Sequence, residues 1–99
     1  KGAHGARPET GIDPVIIATQ IISALQSVVS RNVAPLDSAV ISVTQMHSGD
    51  AYNVIPQEAV LRGTIRAFRK ETMALIKERI ETISSGIAAS LGGSAKADV

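Results

Sequence analysis

Cysteine and tryptophan are missing from the 99 residues, and Tyr52 and Phe68 are the only aromatic side chains. Without thiols, disulfides and thiolate metal sites are excluded, while the compartment stays open. Without aromatics, the base-stacking platforms of single-strand nucleic-acid binders are missing too. An excess of one charge is also lacking: ten Lys and Arg against nine Asp and Glu leave +1. No basic stripe is present, which argues against a nucleic-acid partner. The apolar run Val15–Ala18 is far too short by itself to span a bilayer, and no signal peptide pattern is visible. No membrane partner is expected.

What remains is aliphatic. Hydrophobic residues make up 44% of the chain, enough for one domain with a core of Ile, Val, Leu and Ala. The chain starts at Lys1 and stops at Val99 inside what reads as a strand. Both ends look cut, so a single domain, residues 1–99, excised from a larger protein is expected.

Residues 1–12 are rich in Gly and Pro and read as the tail of a strand followed by a loop. Asp13-Pro14 is a helix start: the carboxylate can cap free N–H groups, and proline suits the first helical position. Ile17, Ile21, Ala24, Leu25 and Val28 then recur at helical spacing to about Arg31, with Ile16, Ile22 and Val29 widening the stripe. Arg31 complements the negative end of the helix dipole. After a loop over 32–37, residues 38–46 alternate as a strand, with Ala39, Ile41 and Val43 on one face. Residues 47–66 form the end of that strand, a polar turn with Gly49, Asp50, Asn53 and Pro56, and a second strand to about residue 68. That second strand puts Arg62, Thr64 and Arg66 on one face. A second helix covers about 70–91 on Met73, Ile76, Ile80, Ile83, Ile87 and Leu91, with Lys70, Lys77, Glu78, Glu81 and Ser84 on its other faces. Gly92-Gly93 ends it, and residues 94–99 should begin another strand. The order predicts an α+β two-layer sandwich of ferredoxin-like type: an antiparallel sheet, four-stranded in the parent with its first strand truncated here, covered on one face by two helices.

Four side chains carry chemistry worth weighing. His4 has small neighbours in a Gly-rich loop and could exchange protons or donate to a developing negative charge. The plainer reading, a solvent-facing loop histidine, is stronger on spacing alone. Asn53 could orient a carbonyl or carboxylate, or be a turn asparagine satisfied by its own backbone. Arg66 could bind a carboxylate through its guanidinium fork, or be a solvated strand arginine, and Arg62 has an equal claim. His47 reads as structural or exposed, sharing a face with Gln45, and Tyr52 as packing at the turn. No histidine and carboxylate pair has metal-ligand spacing. There is no nucleophile elbow and no phosphate loop, so the domain by itself shows no catalytic engine.

Three separated stretches resemble a known family. They are Gly2-Ala3-His4-Gly5-Ala6-Arg7-Pro8 with Gly11-Ile12-Asp13-Pro14 and Leu25–Arg31; Ala51-Tyr52-Asn53-Val54-Ile55-Pro56; and Gly63-Thr64-Ile65-Arg66. Together they resemble the lid, or dimerisation, domain of the two-metal amidohydrolases and exopeptidases: hippurate hydrolase, indole-acetyl-amino-acid hydrolase, N-acetyl-diaminopimelate deacetylase and glutamate carboxypeptidase. The nearest resemblance is to the hippurate hydrolase-like branch.

The resemblance implies a catalytic domain in the same chain that hydrolyses N-acyl-amino acids or small peptides with two divalent metal ions (zinc, manganese, cobalt or nickel). The metal ligands and general base would lie outside these 99 residues, leaving the fragment inactive alone. It implies that His4 stabilises the oxyanion, in many dimeric members at the partner subunit's site. It implies that Asn53 and Arg66 hold the substrate's carboxylate or carbonyl end. A homodimer through the strand near 38–46 and the helix 14–31 is implied. A cytoplasmic location is expected. Family members often carry histidine where this chain has Glu9, to which no role attaches. The alternative is a stand-alone ferredoxin-like module for small-molecule binding or structural dimerisation.

Overall fold

A computed structural model of the chain describes the backbone of residues 3–4, and residues 12–34 and 36–99. The expected loop over 5–11, Glu9 within it, and Pro35 lie outside the described residues.

Helix α1 spans Pro14–Ser27. It starts where the sequence says it should: Val15 N–H donates to Asp13 Oδ1 at 2.9 Å, with Pro14 in the first turn. Ile17, Ala18, Ile21 and Leu25 are its buried residues. Ile16, expected to widen the apolar stripe, is half exposed at 53%. A π-helical turn, Val28–Asn32, follows, closed by Val33 N–H on Val28 O at 3.1 Å. It rotates Val28 and Val33 into the core, 0% and 7% exposed. By length and composition Pro14–Arg31 would also pass for a membrane-crossing helix. Here its apolar stripe turns onto the sheet and the second helix, as a core helix does.

The strands are β1 (Ala3–His4), β2 (Ala39–Ser48), β3 (Val54–Ile55) and β4 (Ala59–Ala67). They form two antiparallel ladders, β2 with β4 and β1 with β3. Ala39, Ile41, Val43, Leu61, Ile65 and Ala67 pack against the helical core, as alternation predicts. Between Val43 and Gln45 the register shifts: Val43 faces Gly63 and Gln45 faces Arg62, leaving Thr44 as a bulge. The bulge resets the phase, so Met46, not Gln45, shares the inner face with its partner Leu61.

Helix α2 spans Lys70–Ser90. Ile76 is fully buried, with Ile80, Ile83 and Ile87 packed around the core. Ser84, expected on an outer face, is buried at 7% exposure. It belongs to a line of i, i+4 positions, Thr72, Ile76, Ile80, Ser84 and Ala88. The small Thr, Ser and Ala on that line are among the buried residues, as close packing against a neighbouring element favours. Leu91, placed on the apolar stripe from spacing, is exposed instead, because it caps the helix. Gly92 then adopts φ +85°, and Gly93 N–H bonds Ala88 O at 2.7 Å, the hydrogen-bonded glycine stop expected there.

Residues 94–99, expected as a strand, form no ladder. Their burial nevertheless alternates: Ala95 and Ala97 are half-buried while Ser94, Lys96 and Asp98 are exposed. The architecture is thus α+β, two helices over one face of antiparallel strands.

Candidate functional site

The connection between β2 and β4 positions the candidate residues. Ser48 Oγ donates to Glu58 O at 2.7 Å and ties the base of the excursion. Gly49 turns the chain at φ +88°, a conformation that L side chains rarely adopt. Val54 N–H then bonds Ala51 O at 3.3 Å, closing a turn around Tyr52 and Asn53. Val54 and Ile55 emerge extended and pair with β1 in the register Ala3 to Ile55 and His4 to Val54.

That pairing corrects one expectation. His4 lies in a strand, not a Gly-rich loop, and the residue opposite it is the one directly after Asn53. The structure therefore brings His4 and Asn53 together at one end of the molecule. Asn53 is exposed. Among the described residues its amide makes no hydrogen bond, so it is not a turn asparagine satisfied by its own backbone. Tyr52 is fully exposed and packs on nothing at the turn, contrary to expectation. Between this turn and the start of α1 lies a shallow hollow of about 300 Å³, bordered by Asp13, Val15, Ser48, Tyr52 and Pro56.

Arg66 is elsewhere. It sits opposite Val40 near the far end of the β2–β4 ladder. It is seven residue steps along the strand from Ala59 at the turn end, about 23 Å of strand. Within one chain, Arg66 does not meet Asn53 or His4. Arg66, Thr64 and Arg62 share the outer sheet face with Val40, Ser42, Gln45 and His47. Both arginines are exposed, and neither makes an ion pair among the described residues. His47 is exposed, as expected.

Gly63, part of the recognisable motif, has a structural cause. A Cβ there would run into the backbone carbonyl oxygen of Ser42 on the neighbouring strand. The signal that sequence reasoning underused is Val54-Ile55, a β-branched pair in an otherwise polar connection. It is the short strand that seats His4.

The described residues hold no group of three or more His, Cys, Asp or Glu able to bind a metal ion.

The model of the M20 peptidase dimerisation domain matches residues 1–90. The chain belongs to this family. As an M20 dimerisation domain it is 46% identical to an N-acetylcysteine deacetylase of Bacillus subtilis over 97% of its own length and 25% of that protein's. It is 48% identical to an N-acetyldiaminopimelate deacetylase of Priestia megaterium, over 88% of the chain and 23% of the relative. A solved Bacillus subtilis dinuclear metal-binding peptidase of the M20 family superposes with TM-score 0.71 at 39% identity, over 86% of this chain and 21% of that one. The M20 domain thus spans about a quarter of the length of these relatives. The relatives are deacetylases, so these likenesses do not support the expected hippurate hydrolase-like branch.

Proposed function

We propose that this domain is the lid and dimerisation unit of a metal-dependent amidohydrolase that removes acyl groups from N-acyl-amino acids. The deacetylase relatives favour a small acyl group such as acetyl over the benzoyl of hippurate. The observation that carries the reading is the β1–β3 ladder, which sets His4 beside a turn whose Asn53 amide has no partner among the described residues. A donor at His4 serves the oxyanion of the tetrahedral intermediate, and Asn53 serves the substrate's carbonyl or carboxylate end. The metals that activate water, and the general base, belong to a catalytic domain outside these residues.

The position of Arg66 adds a condition. If Arg66 and Asn53 hold one substrate, the roughly 23 Å of strand between Arg66 and the turn end at Ala59 requires two copies. Pairing β2 with its two-fold mate would lay the Ala39 end of one copy beside the Ser48 end of the other. Arg66 of one copy would then approach the end that carries Asn53 and His4 of the other. The guanidinium fork suits the carboxylate of the amino-acid product.

The test is a hydrolysis screen of N-acetyl- and N-benzoyl-amino acids with the full-length enzyme supplied with manganese, zinc, cobalt or nickel. His4→Ala should lower kcat about 10²–10³-fold, and unchanged turnover would remove His4 from the mechanism. Arg66→Ala should chiefly raise KM for substrates with a free carboxylate. A mixed dimer of His4→Ala and Arg66→Ala chains should regain one functional site if the site is shared.

A further inference from the structure

We infer that Phe68, with Val40 and Leu36, forms an apolar subsite beside Arg66 that receives the side chain of the substrate's amino acid, so that the enzyme selects N-acyl-amino acids with large apolar side chains. The inference rests on the reading of Arg66 as the group that holds the substrate's carboxylate.

The first observation is exposure. Phe68 is one of only two aromatic residues in the chain, and it is 90% exposed. Leu36 is 100% exposed and Val40 51%. Single apolar side chains scattered over a surface need no explanation. These three gather at one end of the β2–β4 ladder, around the pairs Ala39–Ala67 and Val40–Arg66, and a gathered patch marks a binding surface.

The second is placement. Val40 is the residue directly opposite Arg66. Ala67 packs against the core, so its neighbours on either side, Arg66 and Phe68, turn away from the core. Two steps along a strand cover about 7 Å, and facing residues of an antiparallel ladder lie about 5 Å apart. In an α-amino acid the side chain leaves the carbon that bears the carboxylate. A carboxylate on Arg66 therefore brings that side chain to Val40 and Phe68.

The third is support and charge. Arg69 pairs with Asp37 at 3.4 Å, and Thr72 Oγ1 bonds the same carboxylate. Leu36 directly precedes Asp37, and Phe68 directly precedes Arg69. One contact thus tethers both apolar residues, and groups positioned before binding lose less freedom on binding. The carboxylates of Asp37 and Glu71 both pair with Arg69, so neither is left for a cationic side chain. Arg66 makes no ion pair among the described residues and offers its charge to the carboxylate alone.

The experiment measures kcat/KM of the full-length, metal-loaded enzyme for N-acetylglycine, N-acetyl-leucine, N-acetylphenylalanine and N-acetylaspartate. It compares the wild type with Phe68→Ala, Phe68→Leu and Arg66→Ala, with Tm and oligomeric state read alongside. The wild type should favour leucine and phenylalanine over glycine by about tenfold or more. Phe68→Ala should reduce that ratio about tenfold with Tm and oligomeric state unchanged, and Phe68→Leu should keep most of it. Arg66→Ala should lower all four substrates together. A wild type that favours glycine or aspartate would overturn the inference. So would an equal loss on all four substrates in Phe68→Ala, which would make the catalytic domain or a second copy the cover of the ring. Wild-type turnover of all four by Arg66→Ala would remove the carboxylate site itself, and the subsite with it, an outcome distinct from any change in the Phe68 ratio.

Discussion

Gly63 and Gly86 are the same residue type under opposite constraints. At Gly63 the β2 backbone stands where a Cβ would go, at the point where the bulge brings Val43 opposite it. Gly63→Ala should therefore destabilise the domain by about 1–3 kcal/mol, since backbone rather than a flexible side chain must give way. At Gly86, inside α2 and exposed, a Cβ would meet nothing within 4 Å. Gly86→Ala should stabilise by roughly 0.5–1 kcal/mol by restricting the unfolded chain and raising helix propensity. Urea denaturation of the two variants side by side reads both signs. A loss at Gly86 would mean that face of α2 is covered by something other than solvent. At this scale the candidate chemistry was partly legible. His4, Asn53 and Arg66 could be named from their types and motifs. That His4 and Asn53 share one end while Arg66 lies at the other could not, because it depends on which strand pairs with which.

Among the elements, α1 shows local rules at work. Asp13 and Pro14 set its start through one side-chain hydrogen bond and one pre-set dihedral. Asp13→Ala should cost about 1 kcal/mol, read as a lower denaturation midpoint with an unchanged m-value. Its end is less local. The π-helical turn at Val28–Asn32 bears no clear mark in composition, and it is the packing of Val28 and Val33 into the core that it serves. The ion pair of Arg69 with Asp37, 3.4 Å long, and the bond from Thr72 Oγ1 to the same carboxylate fasten the start of α2 to the loop before β2. Arg69 is well exposed in this pair, so its contribution is small beside the buried Ile76. Strand β2 shows the limit of alternation. Period two places Ala39, Ile41 and Val43 correctly, and then Thr44 bulges and every later side chain changes face.

For the molecule as a whole, β2 is laddered on one side only among the described residues, and α1 packs over it. α1 contacts both β2 and β4, while the principal sheet contact of α2 is with β4. Val15 and Ile16 are exposed on α1, and Val40 is exposed on the outer face of β2; the proposed pairing of two copies through this edge can be tested directly. Thr44 offers a selective probe because it has no partner on β4. Thr44→Pro would remove an N–H from β2 at a position where proline is tolerated, sparing the ladder with β4. The full-length variant should be monomeric in light scattering at micromolar concentration with its circular dichroism intact. A dimer that survives this change would place the two-fold away from the middle of β2.

The sequence alone determined what depends on neighbours along the chain. It determined the capped start of α1, the glycine stop of α2, the aliphatic core, the alternating faces up to Val43 and the α+β class. These follow from dihedral preference and hydrophobic period, which act over a few residues. Only the tertiary structure decided what depends on contacts between distant segments. It decided the bulge at Thr44, the need for glycine at position 63, the burial of Ser84 and the β1–β3 ladder that seats His4 beside Asn53. It also decided the distance of Arg66 from both. Strand pairing and helix packing join residues tens of positions apart, and no local preference encodes the space left between them.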